Sequence, residues 1–337
     1  MKAVGFKTSL PITEPNSFIA FETEKPSPVG HQLLIKINAI AVNPVDFKIR
    51  QNAAKDTILE QPKIIGWDAS GIVEAVGENV SLFNIGDQVY YAGDITKAGC
   101  NAEFQLVDER IVGKKPKTLS NEAAAAMPLT ALTAWEILFN RIRISAEKDK
   151  GKTLLVIGGA GGVGSIAIQL AKKIANLNVI ATASRPQTIE WCKQMGADLV
   201  VNHKNLVDEV RKAGFQFVDF IVDFVDTNSY WDAMSELIKP QGHIASITGS
   251  ATPIALNKLK TKSASFSWEF MYTRSSFQTE DMVEQHHILN KVANLLDEGA
   301  LVSTLTQTLS GLSAENLKQA HQQLESGTTI GKIAIKY

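Results

Sequence analysis

The chain is 337 residues long, 45% hydrophobic and 20% charged, with a formal net charge of −1. Such a length and composition predict a soluble globular protein of two domains, and the near-zero charge gives no overall field that favours nucleic acid or an anionic membrane. Two cysteines, Cys100 and Cys192, exclude a disulfide framework and a four-cysteine zinc knot. No apolar run is long enough to span a bilayer.

The N-terminus enters a strand directly, without the apolar core of a signal peptide, and a cytoplasmic protein is expected. Residues 34–39, 71–77, 87–93 and 103–107 read as short strands between turn residues, which predicts a small barrel or sandwich. Near Asn121 the pattern changes to an alanine-rich helical stretch broken by Pro128, where a new helix starts or one kinks. Strand and helix patterns then alternate to about Gly249, with strands at 154–157, 178–183, 198–201, 217–224 and 243–247. That alternation predicts a parallel, doubly wound sheet. A helix over 229–239 is expected to stop at Pro240 and Gly242. In the tail, Thr279 and Ser313 are expected to cap helices that end before Gly299 and Gly327, and 330–336 reads as a final strand.

The chemistry-bearing unit lies at 153–175. An apolar run is followed by Gly159-Ala160-Gly161-Gly162-Val163-Gly164, which fits G-x-G-x-x-G, and then by apolar residues at helical spacing. Glycines let backbone N–H groups approach a pyrophosphate, and the helix N-terminus adds partial positive charge. A flexible glycine-rich turn is the plainer alternative; the strand before and the helix after favour a dinucleotide. The second strand ends in Ala183-Ser184-Arg185, with no carboxylate to hold a ribose 2′-hydroxyl. A hydroxyl beside a guanidinium suits a 2′-phosphate, so NADPH is the expected cofactor. A solvated Arg185 at a strand end is the competing reading.

The order of a β-rich domain, a crossing helix and GGAGGVG on a βαβ unit resembles the medium-chain dehydrogenase/reductase superfamily. Asn43-Pro44-Val45-Asp46, Gly66-Trp67-Asp68-Ala69-Ser70-Gly71, the stretch 128–135 and the closing Gly331-Lys332-Ile333 resemble its quinone oxidoreductase branch. Tyr91-Ala92-Gly93-Asp94, the stretch 268–274 and Ala320-His321 resemble a narrower bacterial group labelled zinc-type alcohol dehydrogenase. The resemblance implies an α/β protein: a GroES-like domain of 1–125 and 285–337, and a Rossmann domain of 126–284. It also implies a small-molecule substrate and a homodimer or homotetramer.

In zinc-dependent relatives a cysteine near the Asn43 position, the histidine of Gly-His-Glu and a further cysteine or carboxylate hold the catalytic metal. Here those places carry Asn43 and Gly66-Trp67-Asp68. Asn is a poor zinc ligand and Trp is none. Among six histidines only His286 and His287 are close, and neighbours on a helix point apart. No metal is expected.

Asn43, Lys48, Trp67 and Thr130 are the candidate catalytic residues. Asn43 offers an amide donor to a substrate carbonyl. Lys48 stands where similar reductases often carry a tyrosine, which leaves the proton donor open. Trp67 reads as a wall of the pocket or as a plain core aromatic. Asp46 reads as structural, as do Asp219 and Asp223, which share one face of a strand. By the resemblance Thr130 and Thr133 approach the nicotinamide, although a threonine hydroxyl in a helix also bonds its own backbone. The resemblance further assigns His203 to the adenosine phosphate end, Ile247 and Thr248 to the nicotinamide ribose, and Phe270 and Met271 to the other side of the nicotinamide. For the last pair core packing is the alternative.

The expected activity is metal-free, NADPH-dependent hydride transfer to a quinone or an α,β-unsaturated carbonyl. A zinc-dependent alcohol dehydrogenase and a non-catalytic NADPH-binding protein are the alternatives.

Overall fold

A computed structural model describes residues 1–337. The chain divides into two compact units, one of Met1–Leu132 with Tyr272–Tyr337 and one of Thr133–Met271.

The first unit is built on β1 (Lys2–Phe6), β2 (Ile19–Glu22), β3 (Gln32–Ala41), α1 (Pro44–Asn52), β4 (Lys63–Ile64), β5 (Asp68–Val76), β6 (Gln88–Tyr91), β7 (Phe104–Asp108) and β8 (Val112–Lys114). Next come α2 (Asn121–Ala125) and α3 (Pro128–Trp135). Pro128 opens α3, as the sequence predicts, because its missing N–H costs nothing in a first turn. The helix carries the chain into the second unit and continues as a wider π-turn over Glu136–Arg141.

The second unit runs β9 (Thr153–Ile157), α4 (Gly162–Lys173), β10 (Asn178–Thr182), α5 (Pro186–Gln194), β11 (Leu199–Val201), α6 (Leu206–Lys212), β12 (Val218–Asp223), α7 (Thr227–Leu237), β13 (Ile238–Ser246) and β14 (Ser265–Trp268). Its six strands are ordered β11-β10-β9-β12-β13-β14, and every pairing is parallel. The order reverses between β9 and β12, which is the crevice where doubly wound sheets bind ligands. β9 is buried along its whole length, which explains its unbroken apolar run. Leu155, Ile157, Ile180, Ile221, Ile244 and Trp231 close the core on one side of the sheet, and each buried side chain of this kind contributes about 1.5–3 kcal/mol.

The chain then returns to the first unit through α8 (Thr273–Phe277), α9 (Glu284–Asp297), β15 (Leu305–Ser310), α10 (Ala314–Glu325) and β16 (Lys332–Lys336). β16 pairs with β3, which joins the end of the chain to the centre of the β-rich unit in the order β15-β16-β3-β5-β6-β8.

Three expectations are corrected. Pro240 and Gly242 do not stop a helix: α7 ends at Leu237, and both residues lie in the irregular first half of β13. Gly242 packs closely there, because a Cβ would meet the Asp219 carbonyl oxygen at 2.9 Å. Thr279 does not cap a helix either. Its hydroxyl donates to Asp281, which also pairs with Arg274, so this stretch is a braced loop and α9 begins at Glu284. Finally, the elements that the sequence does not predict include α1, inside the stretch read as strands, and α6, β14 and β15. Ser313 does cap α10, its side chain accepting from the N–H of Asn316, and Gly327 ends it at φ +67°.

His321 on α10 is fully buried beside the Phe18 ring, with neither ring nitrogen hydrogen-bonded. Burial, with the nearby Arg50 charge, drives its pKa down to about 3. The imidazole is therefore neutral in the fold but takes a proton below about 6.5 once unfolded. Stability should fall as pH drops from 6.5 towards 3, by up to about 1.4 kcal/mol per pH unit. Thermal melts between pH 7.5 and 5 should show a larger loss for the wild type than for His321→Phe; equal losses would contradict this.

Candidate active site

A buried polar group of the first unit is assembled by three strand ends and a helix start. β3 leads to Asn43, β5 begins at Asp68, β16 begins at Lys332 and α3 presents its first turn. Asp68 is fully buried. Its Oδ1 accepts from the Leu129 N–H at 2.7 Å, and its Oδ2 accepts from Asn43 Nδ2 at 2.8 Å and Lys332 Nζ at 3.0 Å. The carboxylate thus also faces the positive end of α3. Lys332, 3% exposed, spends its other two protons on the Val42 carbonyl at 2.8 Å and Asn43 Oδ1 at 2.5 Å. Burial pushes the Asp68 pKa up, and the Lys332 charge and the three donors oppose that push.

Asn43 is therefore held at both ends of its amide. A second Nδ2 contact reaches the Ala41 carbonyl at 3.5 Å. The Asn43 backbone N–H donates to Asp46 Oδ2 at 2.8 Å, closing the first turn of α1. Asp46 is fully buried, its Oδ1 has no hydrogen bond, and burial lifts its pKa to about 7. Trp67 is fully buried with its ring edge-on to Tyr272, centroids 6.3 Å apart, and its Nε1 is unpaired. Burial, together with the charges of Asp46 and Asp68, raises the Tyr272 pKa well above the usual phenol range and keeps it protonated. Thr130 is buried and its hydroxyl donates to the Met127 carbonyl at 3.1 Å. Lys48 is exposed on α1.

In the second unit the glycine run joins β9 to α4. Gly158 takes φ +88°, and its N–H donates to Thr182 Oγ1 at 3.0 Å, tying the turn to β10. A Cβ on Gly164 would meet the Gly158 carbonyl at 2.2 Å, whereas a Cβ on Gly161 would meet nothing closer than 3.6 Å. Gly164 therefore packs helix on strand, and Gly161 leaves open approach at the helix start. Gly161 is the N-cap of α4 and supplies no side-chain acceptor, so the first-turn N–H groups of Gly162, Val163 and Gly164 remain for an anion. Ala160 lies buried within the same turn.

At the end of β10, Ser184 and Arg185 are exposed. Ser184 Oγ lies 3.3 Å from His203 Nε2, and Tyr230 Oη lies 3.2 Å from His203 Nδ1. His203 and Tyr230 also line a cavity of about 270 Å³ between the starts of α6 and α7. Ile247 and Thr248 follow β13, where Thr227, Ser246, Thr248 and Asp223 form one hydrogen-bonded group. Phe270 is 49% exposed, while Met271 and Thr133 are buried.

The structure thus brings together Asn43, Asp68 and Lys332 in one unit, and Ser184 and His203 with Tyr230 in the other. Sequence reasoning passed over Lys332, Tyr230 and Tyr272 as individual residues. Lys332 carried a signal, a charged residue directly before the apolar run Ile333-Ala334-Ile335; Tyr230 and Tyr272 carried none. No group of three or more His, Cys, Asp or Glu side chains stands close enough to hold a metal ion. No helix is long and apolar enough to cross a membrane.

A β-rich unit rejoined by the chain end, around a six-stranded parallel unit with a glycine turn at its first strand, is the architecture of a two-domain dehydrogenase or reductase. Family models agree: an alcohol dehydrogenase GroES-like domain matches residues 30–117 and a zinc-binding dehydrogenase domain matches residues 162–285. A zinc-type alcohol dehydrogenase-like protein of Staphylococcus aureus is 45% identical over 99% of both chains. A 2-methylene-furan-3-one reductase of Solanum lycopersicum is 33% identical over 90% of this chain and 71% of its own. A solved Rhizobium etli protein, provisionally labelled a zinc-dependent alcohol dehydrogenase, is 47% identical with a TM-score of 0.94, covering 100% of this chain and 98% of its own. The quinone oxidoreductase of Escherichia coli shares the fold, with a TM-score of 0.84 at 23% identity over 100% of both chains. The chain belongs to the medium-chain dehydrogenase/reductase superfamily, an oxidoreductase family.

The two glycines should respond differently to a methyl group. Gly164→Ala must shift backbone and should lower Tm by roughly 5 °C, whereas Gly161→Ala should leave it within about 1 °C. Calorimetry on both variants checks this, and equal shifts would contradict the packing role of Gly164.

Proposed function

We propose that this chain is a metal-free, NADPH-dependent reductase that delivers hydride to a quinone or an α,β-unsaturated carbonyl. The observation that carries this reading is the group around Asn43. Where zinc-dependent relatives carry metal ligands, this chain has an amide whose oxygen accepts from an ammonium, an indole without a ligand atom, and a carboxylate saturated by three donors. Cys100, nearby, is fully buried, and its thiol donates to the Asp68 carbonyl at 3.4 Å. These residues do not fit a catalytic zinc, despite the label on the relatives.

Without a Lewis acid nothing lowers an alcohol's pKa, so alcohol oxidation is hard. A conjugated carbonyl accepts hydride readily and needs only hydrogen-bond donors to the developing oxyanion. The tomato relative is named for reduction of a compound of that kind. In this reading the less firmly held N–H of Asn43, the one 3.5 Å from the Ala41 carbonyl, is the donor. Trp67 and Thr130 shape the site around it, and Lys48 stays a candidate proton donor.

The residues of the second unit fit a dinucleotide phosphate. The first-turn N–H groups of Gly162, Val163 and Gly164 would take the pyrophosphate, with Gly159, Ala160 and Gly161 forming the turn. Ser184, Arg185 and His203, with Tyr230 behind His203, would take the 2′-phosphate. Thr133, Ile247, Thr248, Phe270 and Met271 would flank the nicotinamide ring and ribose. The bound nicotinamide supplies the hydride. We also read a homodimer or homotetramer, supported by β14, the edge strand of its sheet, which leaves Trp268 45% exposed.

Two measurements test the reading. Purified protein should oxidise NADPH with members of a panel of quinones and enones; background rates with every member would favour a non-catalytic NADPH-binding protein. Arg185→Asp should raise KM for NADPH at least tenfold and narrow the gap to NADH, because the substitution replaces a phosphate partner by a like charge. An unchanged NADPH preference would remove Arg185 from the 2′-phosphate site.

A further inference from the structure

Gly331-Lys332-Ile333 was notable in the sequence only as a family motif, and none of the roles above uses the lysine. In the structure Lys332 is a buried cation of the first unit. Its three ammonium protons are donated to Val42 O, Asn43 Oδ1 and Asp68 Oδ2, all buried with it. Two of those acceptors are the residue proposed to meet the substrate and the carboxylate that holds the same residue's amide nitrogen. The amide has only two orientations about its terminal bond. An ammonium against one end and a carboxylate against the other select one of them: oxygen towards Lys332, nitrogen towards Asp68.

From this geometry we propose that Lys332 is the positioning residue of Asn43. The charge carried by the last strand fixes the direction in which the Asn43 amide presents its N–H groups, and it balances Asp68 so that this carboxylate stays clamped to the start of α3. The effect on the reaction runs through Asn43, and Lys332 itself need not touch the substrate. β16 is thereby given a function beyond closing the sheet. The assignment rests on the reductase reading for its kinetic consequence and on geometry alone for its structural one.

The test is a double-mutant cycle in the full-length protein. Lys332→Met, Asn43→Ala and the double variant are assayed for kcat with the best quinone or enone and for KM with NADPH. Each single change should lower kcat roughly tenfold or more and leave KM for NADPH within about twofold, and the double variant should be no slower than the slower single one. Lys332→Arg, which keeps the charge, should recover part of kcat. Losses that multiply in the double variant, or a Lys332→Met enzyme with wild-type kcat, would overturn the proposal.

Stability gives a readout without substrate. Lys332→Met leaves the Asp68 charge uncompensated and should lower Tm by roughly 10 °C. Adding Asp68→Asn should return most of that loss, and it also supplies a folded background if Lys332→Met alone is too unstable to assay. No drop in Tm, or a further drop on adding Asp68→Asn, would contradict the charge balance. If the stability pattern holds but no acceptor is reduced by the wild type, the reductase reading falls and the pairing stands. Turnover by the wild type with no coupling in the cycle has the opposite meaning.

Discussion

The first unit depends on one buried charge, the carboxylate of Asp68. Removed from water, it is tolerable only because an ammonium, an amide and a helix N-terminus all point at it. Those three groups come from positions 332, 43 and 129, so the carboxylate joins segments that are remote in sequence. Breaking such a pair by removing one partner costs about 3–5 kcal/mol, far more than a surface ion pair contributes. The end of the chain must therefore return to the first domain before that domain is electrostatically complete. This gives a physical reason for a GroES-like unit built from both ends of the chain, with the parallel sheet inserted between them.

The second unit rests on sterics rather than charge. The turn after β9 works because Gly164 has no side chain to strike the Gly158 carbonyl and Gly161 has none to block the helix start. The backbone N–H groups of the first helical turn are then left open, and such groups suit phosphate oxygens. At the end of the next strand Ser184 and Arg185 stand in place of an acidic residue, and His203 is held between Ser184 and Tyr230, the group proposed above for a 2′-phosphate.

Local patterns carried most of the fold. A buried parallel strand announces itself as an unbroken apolar run, and β9 is legible for that reason. Pro128 and Ser313 mark helix starts through backbone and capping chemistry that operates within one turn. What was not legible depends on remote partners. Thr279 looks like a cap until the Arg274–Asp281 pair claims the loop, and Pro240 looks like a stop until β12 recruits that stretch into the sheet. The candidate site follows the same division. Asn43 and Trp67 were visible as departures from a ligand pattern, but the amide's orientation is decided by a lysine 289 positions away. No spacing rule reports that contact.

The proposed reductase moves hydride without a metal. This is tested most directly with protein dialysed against a chelator, assayed for zinc, and given NADPH deuterated at C4 together with an enone. Deuterium should appear in the reduced product with far less than one zinc per chain. Label transfer that disappears on chelation and returns only with zinc would contradict it.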